Sequence, residues 1–257
     1  MTEPETGGEI RTALFDRKIF SLKAVDSTNS YASSLLHTGA EEGTVIVAQV
    51  QTAGRGRQGR VWESEEGKNL TFSIILKPDT PAEFSGIISL YAALSVAEVL
   101  RALAGITPEC KWPNDVLAGG RKLCGILSEA TLDRGRVASA IVGIGLNVNQ
   151  THFPSSIQPP PTSLLLATGR PFDLKVVLSA LLERLEFRYS DLRSRRYDTI
   201  IAEWKSLSTT IGRALAVPVG NRMLSGLATG IAADGGLLVQ VDGVEKKILA
   251  GDITTLP

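Results

Sequence analysis

The spacing of apolar residues predicts several strands in the first part of the chain. Apolar runs rich in β-branched side chains are typical of strands in a buried sheet. Such runs occur at Lys18–Val25, Thr44–Gln51, Leu70–Leu76 and Val137–Val148. We therefore expect a sheet at the core of this part of the molecule.

Two further segments have the composition or spacing of helices. Apolar residues in Asp173–Tyr189 recur every three or four positions and share one helix face, and an aspartate stands where it can cap the first turn. The segment Gly86–Leu103 is apolar on most sides. Because Glu98 and Arg101 interrupt this apolar window, which extends to Ile106, the segment predicts a buried helix and not a membrane span. Together with the strands, these helices indicate an α+β fold.

The pattern changes near Thr209, after which short strands and turns replace helical spacing. Asp242-Gly243 is a strong signal for a two-residue hairpin, and Asp234-Gly235-Gly236 marks the turn before it. We predict one domain over residues 1–208 and a small β-barrel domain over residues 209–257. The strands predicted in the barrel are Ala214–Val219, Leu224–Ala232, Leu237–Val241 and Val244–Leu249.

The charge balance argues against a dedicated nucleic-acid-binding protein. Lysine and arginine total 27, as do aspartate and glutamate, so the formal net charge is zero and no overall basic surface is expected. Arginines between Arg184 and Arg196 alternate with acidic residues, which indicates a solvated helix face. The N-terminus is acidic and has no hydrophobic signal segment, and Thr2–Gly8 is predicted to be disordered. We expect a soluble, cytoplasmic protein.

The sequence offers little for metal or histidine chemistry. Cys110 and Cys124 are the only cysteines, too few for a disulfide scaffold or a zinc site, so small buried side chains are expected. His37 and His152 fit neither a metal-binding spacing nor a Ser-His-Asp triad. We predict chemistry that does not use histidine.

A segment of interleaved glycines and arginines, Gln51–Trp62, is the strongest sign of a functional site. Glycine lets backbone amides approach a ligand closely, and arginine supplies planar, permanently charged donors for carboxylate or phosphate. The segment contains three of each and follows a predicted strand directly. It predicts an anion-binding site at the end of that strand.

The polar segment Asp26–Asn29 lies where a strand is predicted to end and a helix to begin. All four residue types favour the cap position of a helix, which accounts for the segment without any ligand. The same hydroxyls and amide can also hydrogen-bond the neutral polar head of a ligand. The two interpretations are compatible.

Two more segments place charged residues or glycines at defined positions. Lys111–Val116 contains a proline, and the Gly-Gly turn at Gly119 leads into Arg121–Leu127, so two lysines and an aspartate are rigidly spaced. A surface salt-bridge cluster remains the alternative for any one of these positions. The predicted strand Gly143–Asn149 has glycines where another backbone or a ligand must come close.

In this order, the segments resemble the biotin protein ligase family. Members carry an STN segment, a GRGRxGR loop, a KWPND segment, a strand of the form K-hydrophobic-x-G-I-L and a GIGxNVN strand. Here these are Ser27–Asn29, Gly54–Arg60, Lys111–Asp115, Lys122–Leu127 and Gly143–Asn149, and the tail resembles the family's C-terminal domain at Gly226–Ile231 and Gly236–Val239. The resemblance implies a class II synthetase-like α+β catalytic domain with a mixed sheet and helices, followed by a small SH3-like β-barrel.

The resemblance also implies a two-step reaction. The carboxylate of biotin attacks the α-phosphorus of ATP, giving biotinyl-5′-AMP and pyrophosphate, and a lysine amine of a biotin carboxyl carrier protein domain then takes the biotinyl group. Mg²⁺ is expected with ATP because a hard cation neutralises phosphate oxygens. Such chemistry relies on charge neutralisation and positioning more than on a proton relay.

Residue roles follow from the same resemblance. Arg55 is expected to anchor the carboxylate and phosphate, Arg57 to act as a mobile lid residue, Lys111 to stabilise the α-phosphate and Lys122 to polarise the acyl carbonyl. The predicted catalytic residues are therefore Lys111, Arg55, Arg57 and Lys122. The predicted biotin-binding residues are Ser27, Thr28, Asn29, Gln51, Gly54, Arg55, Gly56, Arg57, Lys122 and Gly125. The predicted ATP-binding residues are Arg55, Arg57, Arg60, Trp62, Lys111, Asn114, Asp115, Asn147, Thr162 and Ser163.

Further expectations concern partners and reactivity. Only 26 residues precede Ser27, too few for the helix-turn-helix domain with which some family members repress transcription, so no DNA binding is expected. Homodimerisation is common in the family. Cys124 lies close to Lys122 in the sequence, which predicts an activity sensitive to thiol modification.

Two other functions were weighed against this one. Lipoate ligases share the architecture and the adenylation chemistry, but their glycine-rich signature is not found here and the STN segment favours biotin. An RNA-binding arginine–glycine segment at Arg55–Arg60 is the non-enzyme alternative. Zero net charge, the acidic residues at Glu63–Glu66 and the lack of stacking aromatics beyond Trp62 argue against it.

Overall fold

A mixed seven-stranded sheet forms the centre of the larger part of the chain. The computed structural model describes residues 12–15, 18–219, 222–251 and 253–256, so the segment Thr2–Gly8 lies outside the described residues. The strands are β1 (Ile19–Val25), β2 (Val45–Gln51), β3 (Leu70–Leu76), β4 (Pro108–Lys111), β5 (Asp115–Ala118), β6 (Arg121–Asp133) and β7 (Arg136–Leu146). They lie in the order β1-β2-β3-β7-β6-β5-β4. Only β1 and β2 pair in parallel.

Helices cover both faces of this sheet. They are α1 (Thr28–His37), α2 (Ile87–Ala104), α3 (Leu164–Thr168), α4 (Leu174–Arg193) and α5 (Tyr197–Ser206). In β2, Val45 and Ile46 belong to the cores on opposite faces, because successive side chains of a strand alternate. Helix α1 covers the face of Ile46 through Ala32, and α2, α4 and α5 cover the other face. The predicted α+β class is confirmed.

Helix α2 packs inside the protein, as its apolar sequence predicts. Within the described ranges, Ala82–Ala104 is the one segment long and apolar enough to cross a membrane, and 67% of its apolar window is buried by the protein itself. Helix α2 contacts α4 and α5 on one side and β4 and β6 of the sheet. Its end at Gly105 has a φ of 65°, the left-handed conformation that commonly terminates helices.

The C-terminal part forms a separate five-stranded antiparallel sheet. Its strands are β8 (Ala214–Val219), β9 (Arg222–Ile231), β10 (Leu237–Val241), β11 (Val244–Ile248) and β12 (Thr254–Thr255), in the order β11-β10-β9-β8-β12. The four strands predicted here are present. Asp242 and Gly243 have φ values of 49° and 80°, as the predicted two-residue hairpin requires.

The segment that joins β4 to β5 holds the two sheets together. The indole Nε1 of buried Trp112 donates to the carbonyl oxygen of Gly235 at 3.0 Å, and its backbone N donates to Oγ1 of Thr210 at 3.0 Å. Gly86 lies against the same turn, since a Cβ there would come within 3.0 Å of the carbonyl oxygen of Asp234. The C-terminal sheet is thereby fixed beside Lys111.

One arginine of α4 is not on a solvated face, so the prediction for the arginine run is wrong at that position. Arg188 is buried, and its guanidinium contacts Glu98 of α2, Asp191 of α4 and Glu203 of α5. The hydrogen bond to Glu98 is the largest of the effects that raise the pKa of Arg188. The residue joins three helices. Arg193, Arg195 and Arg196 are exposed, as expected.

Replacing Arg188 with alanine is expected to lower the free energy of unfolding by about 3 kcal/mol, because a buried guanidinium that contacts three carboxylates, one of them the buried Asp191, is lost. Urea unfolding followed by circular dichroism measures the change. Arg184→Ala is the control, since the Arg184 side chain is 40% exposed and lies 3.5 Å from Glu98. Exposed pairs contribute about 1 kcal/mol or less. Equal losses in the two variants would contradict the role given to Arg188.

Candidate active site

A cavity of about 750 Å³ lies beside the large sheet. Its wall is built by the loop after β2, the segment between β4 and β5, parts of β6 and β7, and residues 153–161. Ile253 and Thr254 from the C-terminal part complete it. The predicted site residues that line it are Ser27, Thr28, Asn29, Gln51, Arg55, Gly56, Arg57, Arg60, Trp62, Lys111, Asn114, Asp115, Lys122, Gly125 and Asn147.

Neutral polar side chains that are almost fully buried line one part of the wall. Ser27, Thr28 and Asn29 are each exposed by 3% or less. The Oε1 atom of Gln51 accepts from the backbone N of Thr28 at 2.7 Å and from its Oγ1 at 3.1 Å. Ser27 begins α1, but its side chain makes no capping hydrogen bond. The interpretation of this segment as the start of a helix is therefore confirmed, since Ser27 is the N-cap residue of α1, but the cap has no side-chain hydrogen bond.

Two residues that were not predicted connect these polar groups. Ser73 Oγ lies 2.7 Å from Oγ1 of Thr28 and 2.6 Å from Oδ1 of Asn29. The amide Nδ2 of Asn29 donates to the carbonyl oxygen of Leu127 at 3.2 Å and to Oε2 of Glu129 at 2.7 Å. Ser73 could have been noticed in the sequence, because it is a polar residue in the middle of the largely apolar strand β3. Glu129 has no comparable local signal.

The glycine–arginine segment folds back on itself beside the cavity. The backbone N of Trp62 donates to the carbonyl oxygen of Gly54 at 2.9 Å, and that of Gly56 donates to Arg60 at 2.7 Å. At the tip, Gln58 has a φ of 52°. The loop is therefore pinned at its base by main-chain hydrogen bonds. Gly54 itself is buried there and does not line the cavity, and its predicted contact with biotin stays a prediction.

The arginines of this loop face the cavity. Arg55, Arg57 and Arg60 all line it. A guanidinium nitrogen of Arg55 lies 2.5 Å from Oε1 of Glu129, and the two side chains are 47% and 35% exposed. A pair this exposed is weakly stabilising. Arg55 is thus held near the neutral polar residues without being locked there.

Asn29 and Trp62 lie against the glycines of β6 and β7. A Cβ at Gly143 would come within 2.1 Å of Oδ1 of Asn29, and one at Gly145 within 2.3 Å of Cε2 of Trp62. A Cβ at Gly125 would come within 2.9 Å of the Trp62 ring. A close approach was expected at Gly143 and Gly145 and is confirmed, but the expected partner, another backbone or a ligand, is wrong. The groups that approach are side chains of the same chain.

A lysine and a carboxylate are paired in the cavity wall. The Nζ atom of Lys122 lies 2.7 Å from Oδ1 of Asp115, and the side chains are 19% and 13% exposed. The same Nζ lies 5.9 Å from the centroid of a Trp62 ring, within the range of a cation–π contact. Lys111 is the last residue of β4, pairs with Asp115 across the two strands, and also lines the cavity. These charges therefore belong to the cavity and not to a surface salt-bridge cluster.

Both cysteines are buried and free, as predicted. Burial raises the pKa of the Cys110 thiol to about 12, and burial together with the nearby Asp115 carboxylate raises the pKa of Cys124 further. A thiol that is protonated and inaccessible reacts slowly with modifying reagents. The prediction that Cys124 makes the activity thiol-sensitive is contradicted by this burial.

Thr162 and Ser163 support the cavity without lining it, and their predicted contact with a nucleotide stays a prediction. The backbone N of Thr162 donates to the carbonyl oxygen of Lys122 at 2.8 Å, and the Thr162 carbonyl accepts from Nδ2 of Asn147 at 2.9 Å. Ser163 caps α3 through its side chain. The preceding loop takes their place in the wall, through Phe153, Ser156, Ile157, Gln158, Pro159 and Pro161.

The arrangement is suited to a ligand with an uncharged polar head and an anionic group. Buried hydroxyls and amides can hydrogen-bond the head, and guanidinium groups bind carboxylate or phosphate with paired hydrogen bonds. Within the described residues, no three His, Cys, Asp or Glu side chains are grouped to hold a metal ion. Preorganised positive charge, which stabilises negative charge as it develops, is the main catalytic resource of this cavity.

Comparison with known protein families identifies both parts of the chain. A model of the Biotin/lipoate A/B protein ligase family matches residues 21–147. A model of the biotin protein ligase C-terminal domain matches residues 210–254. The first description covers two kinds of ligase, and the second names only one.

Individual relatives agree with this assignment. The chain is 34% identical to "Biotin--[acetyl-CoA-carboxylase] ligase" of Mycobacterium tuberculosis, over 93% of this chain and 90% of that protein. It is 37% identical to "Bifunctional ligase/repressor BirA" of Bacillus subtilis, over 98% of this chain and 78% of that protein. The structure of the Aquifex aeolicus biotin protein ligase in complex with biotin and ATP superposes with a TM-score of 0.78 at 32% identity, covering 93% and 99% of the two chains. The chain belongs to the biotin protein ligase family.

Proposed function

We propose that this chain activates biotin with ATP and transfers it to a lysine of a biotin carboxyl carrier protein domain. The observation that carries the proposal is one cavity in which Ser27–Asn29, the glycine–arginine loop, Lys111 and Lys122 all meet. The names of the relatives and the ligands of the Aquifex aeolicus structure support the same substrates.

Biotin's ureido ring would bind among the neutral polar residues. It carries uncharged N–H donors and a carbonyl acceptor, which match the buried hydroxyls and amides of Ser27, Thr28, Asn29 and Gln51. Its carboxylate would then extend toward the guanidinium of Arg55. Gly56 and Gly125 add no side-chain bulk to this part of the wall.

In the first step, a carboxylate oxygen of biotin attacks the α-phosphorus of ATP, and the bond from that phosphorus to pyrophosphate breaks. Two anions must meet, and negative charge gathers on the α-phosphate. Lys111, Arg55 and Arg57 would neutralise that charge and hold the reacting groups in line. The product is biotinyl-5′-AMP, a mixed anhydride.

In the second step, a lysine amine of the carrier attacks the acyl carbon of biotinyl-5′-AMP, AMP leaves, and the amine loses a proton. Lys122 would polarise the acyl carbonyl, since its ammonium is fixed by Asp115 and lies near Trp62. The loop bearing Arg57 would keep water and other amines from the anhydride until the carrier docks.

The nucleotide would occupy the rest of the cavity. Arg60, Trp62, Asn114, Asp115 and Asn147 line it and are the proposed ATP contacts. Mg²⁺ would come with ATP, because this ion usually takes substrate phosphates and one or two carboxylates as ligands. Glu63 and Asp115 supply carboxylates in the wall.

We also propose that the chain divides into a catalytic domain, residues 1–208, and a C-terminal domain, residues 209–257. The end of α5 at Ser206 and the start of β8 at Ala214 support this boundary. A cytoplasmic location and a homodimeric state are further proposals. Size-exclusion chromatography with light scattering checks the second.

A direct assay separates biotin from lipoate. The protein is incubated with MgATP, a biotin carrier domain and either biotin or lipoate, and the carrier is analysed by mass spectrometry. A biotinyl mass increase on one lysine supports the proposal. Modification with lipoate alone would favour the lipoate-ligase alternative.

Lys111→Ala is expected to slow biotinyl-5′-AMP formation by roughly a hundredfold or more, because one preorganised charge near a developing anion contributes about 3 kcal/mol to the barrier. Biotin-dependent exchange of labelled pyrophosphate into ATP measures this step. Lys175→Ala is the matched control, since that lysine is exposed in the first turn of α4, away from the cavity. Near-normal exchange in Lys111→Ala would refute the role of Lys111.

Arg57→Gly is expected to release biotinyl-5′-AMP and to label bystander proteins, because the loop would no longer retain the anhydride. The measurement is a streptavidin blot of a protein mixture after incubation with biotin and MgATP. Arg134→Gly is the control. It removes an arginine from an exposed turn where a φ of 46° already suits glycine. An unchanged labelling pattern in Arg57→Gly would end the lid hypothesis.

A further inference from the structure

Glu129 contacts both parts of the site. Its Oε1 lies 2.5 Å from a guanidinium nitrogen of Arg55, and its Oε2 lies 2.7 Å from Nδ2 of Asn29. We propose that Glu129 is a positioning residue that couples binding of the ligand head at Asn29 to the position of Arg55 and its loop. The inference rests on the proposed function, since the head is taken to be the ureido ring of biotin.

On one side, Glu129 fixes the orientation of the Asn29 amide. Both hydrogens of Nδ2 are engaged, one by Glu129 and one by the carbonyl oxygen of Leu127, while Oδ1 lies 2.6 Å from Ser73 Oγ. An amide oxygen has two lone pairs, so Oδ1 can accept one more hydrogen bond. A ureido N–H is a donor of the required kind. Binding at Asn29 therefore depends on the carboxylate that orients it.

On the other side, Glu129 holds Arg55 without trapping it. Because the ion pair is about half exposed to solvent, it gains little net stability, and Arg55 can exchange Glu129 for an anionic group of a ligand. Arg55 is itself part of the glycine–arginine loop, whose two sides are joined by the hydrogen bond between Gly54 and Trp62 and that between Gly56 and Arg60. A change at Glu129 is thus passed to the loop.

The coupling requires a carboxylate and not merely a polar side chain. An ionised carboxylate accepts at both oxygens, whereas an amide accepts at one and donates at the other. Glutamine at position 129 would fill the same space, but its NH₂ group would face either the guanidinium of Arg55 or the Nδ2 of Asn29. One of these donors would lose its partner, and the connection between head site and loop would be broken.

The experiment measures biotin binding and loop accessibility in the full-length protein. Wild type, Glu129→Gln and Asp133→Asn are titrated with biotin by calorimetry. Trypsin cleavage after Arg55, Arg57 and Arg60 is then followed without ligand and with saturating biotin. Asp133 ends the same strand as Glu129, is exposed and does not line the cavity, so its variant controls for loss of a negative charge.

Biotin is expected to slow cleavage in the wild type and in Asp133→Asn. In Glu129→Gln this protection should fall by at least about fivefold, the lower range of typical coupling between linked sites. Saturating biotin removes any difference in affinity, so the lost protection reports coupling alone. Glu129→Asp keeps two acceptor oxygens on a shorter side chain and is expected to retain part of the protection.

Equal protection in wild type and Glu129→Gln would overturn the inference and leave the proposed function intact. Failure of the wild type to bind biotin would overturn both. If circular dichroism shows that Glu129→Gln does not fold, Glu129→Ala, which removes both acceptor oxygens, decides the question, and protection equal to that of the wild type in that variant overturns the inference.

Discussion

The site depends on two glycines in β7, the middle strand of the large sheet, because neither has a side chain that would fill the space beside the strand. Because Gly143 has no Cβ, the amide of Asn29 lies against β7, and because Gly145 has none, Trp62 lies against the same strand. The two residues belong to the polar segment and to the end of the glycine–arginine loop, which are far apart in the sequence. Hydrogen-bonded pairing of β7 with β3 and β6 fixes the register of both glycines. The geometry of the cavity thus follows from the centre of the sheet.

A helix, a strand or a site segment could be predicted from the sequence when its own residues show the pattern that is typical of it. The apolar run of β3 and the spacing in α4 are local properties, and so are the glycines, arginines and lysines of the site. Tyr197, Ile200, Ile201 and Trp204 of α5 also recur at helical spacing, so that helix was predictable although it was missed. Ser73 and Glu129 differ, because they reach Asn29 across 44 and 100 residues of chain. The contacts of Ser73 and Glu129 with Asn29 arise only when the strands pair in the sheet, so the sequence does not reveal them.

The distribution of polarity in the cavity fits the proposed reaction, which needs no histidine. Uncharged groups would bind the buried head of the ligand, where a charge would be costly to desolvate. Permanently charged groups would surround the place where the two anions meet, and they need no proton transfer to act. Arginine has a structural role in the core as well, where the guanidinium of Arg188 contacts carboxylates from three helices.

The hydrogen bond from Trp112 to Gly235 makes the wall of the cavity depend on the backbone of the C-terminal sheet. The acceptor is a main-chain carbonyl, so no side chain of the turn takes part in the contact. It does require the backbone path, including the φ of 86° at Gly235. The backbone path of this turn therefore helps to fix Trp112 and, through it, the position of Lys111, the preceding residue of the chain. The main-chain course of the small sheet thus bears on the place of a charged residue in the cavity wall.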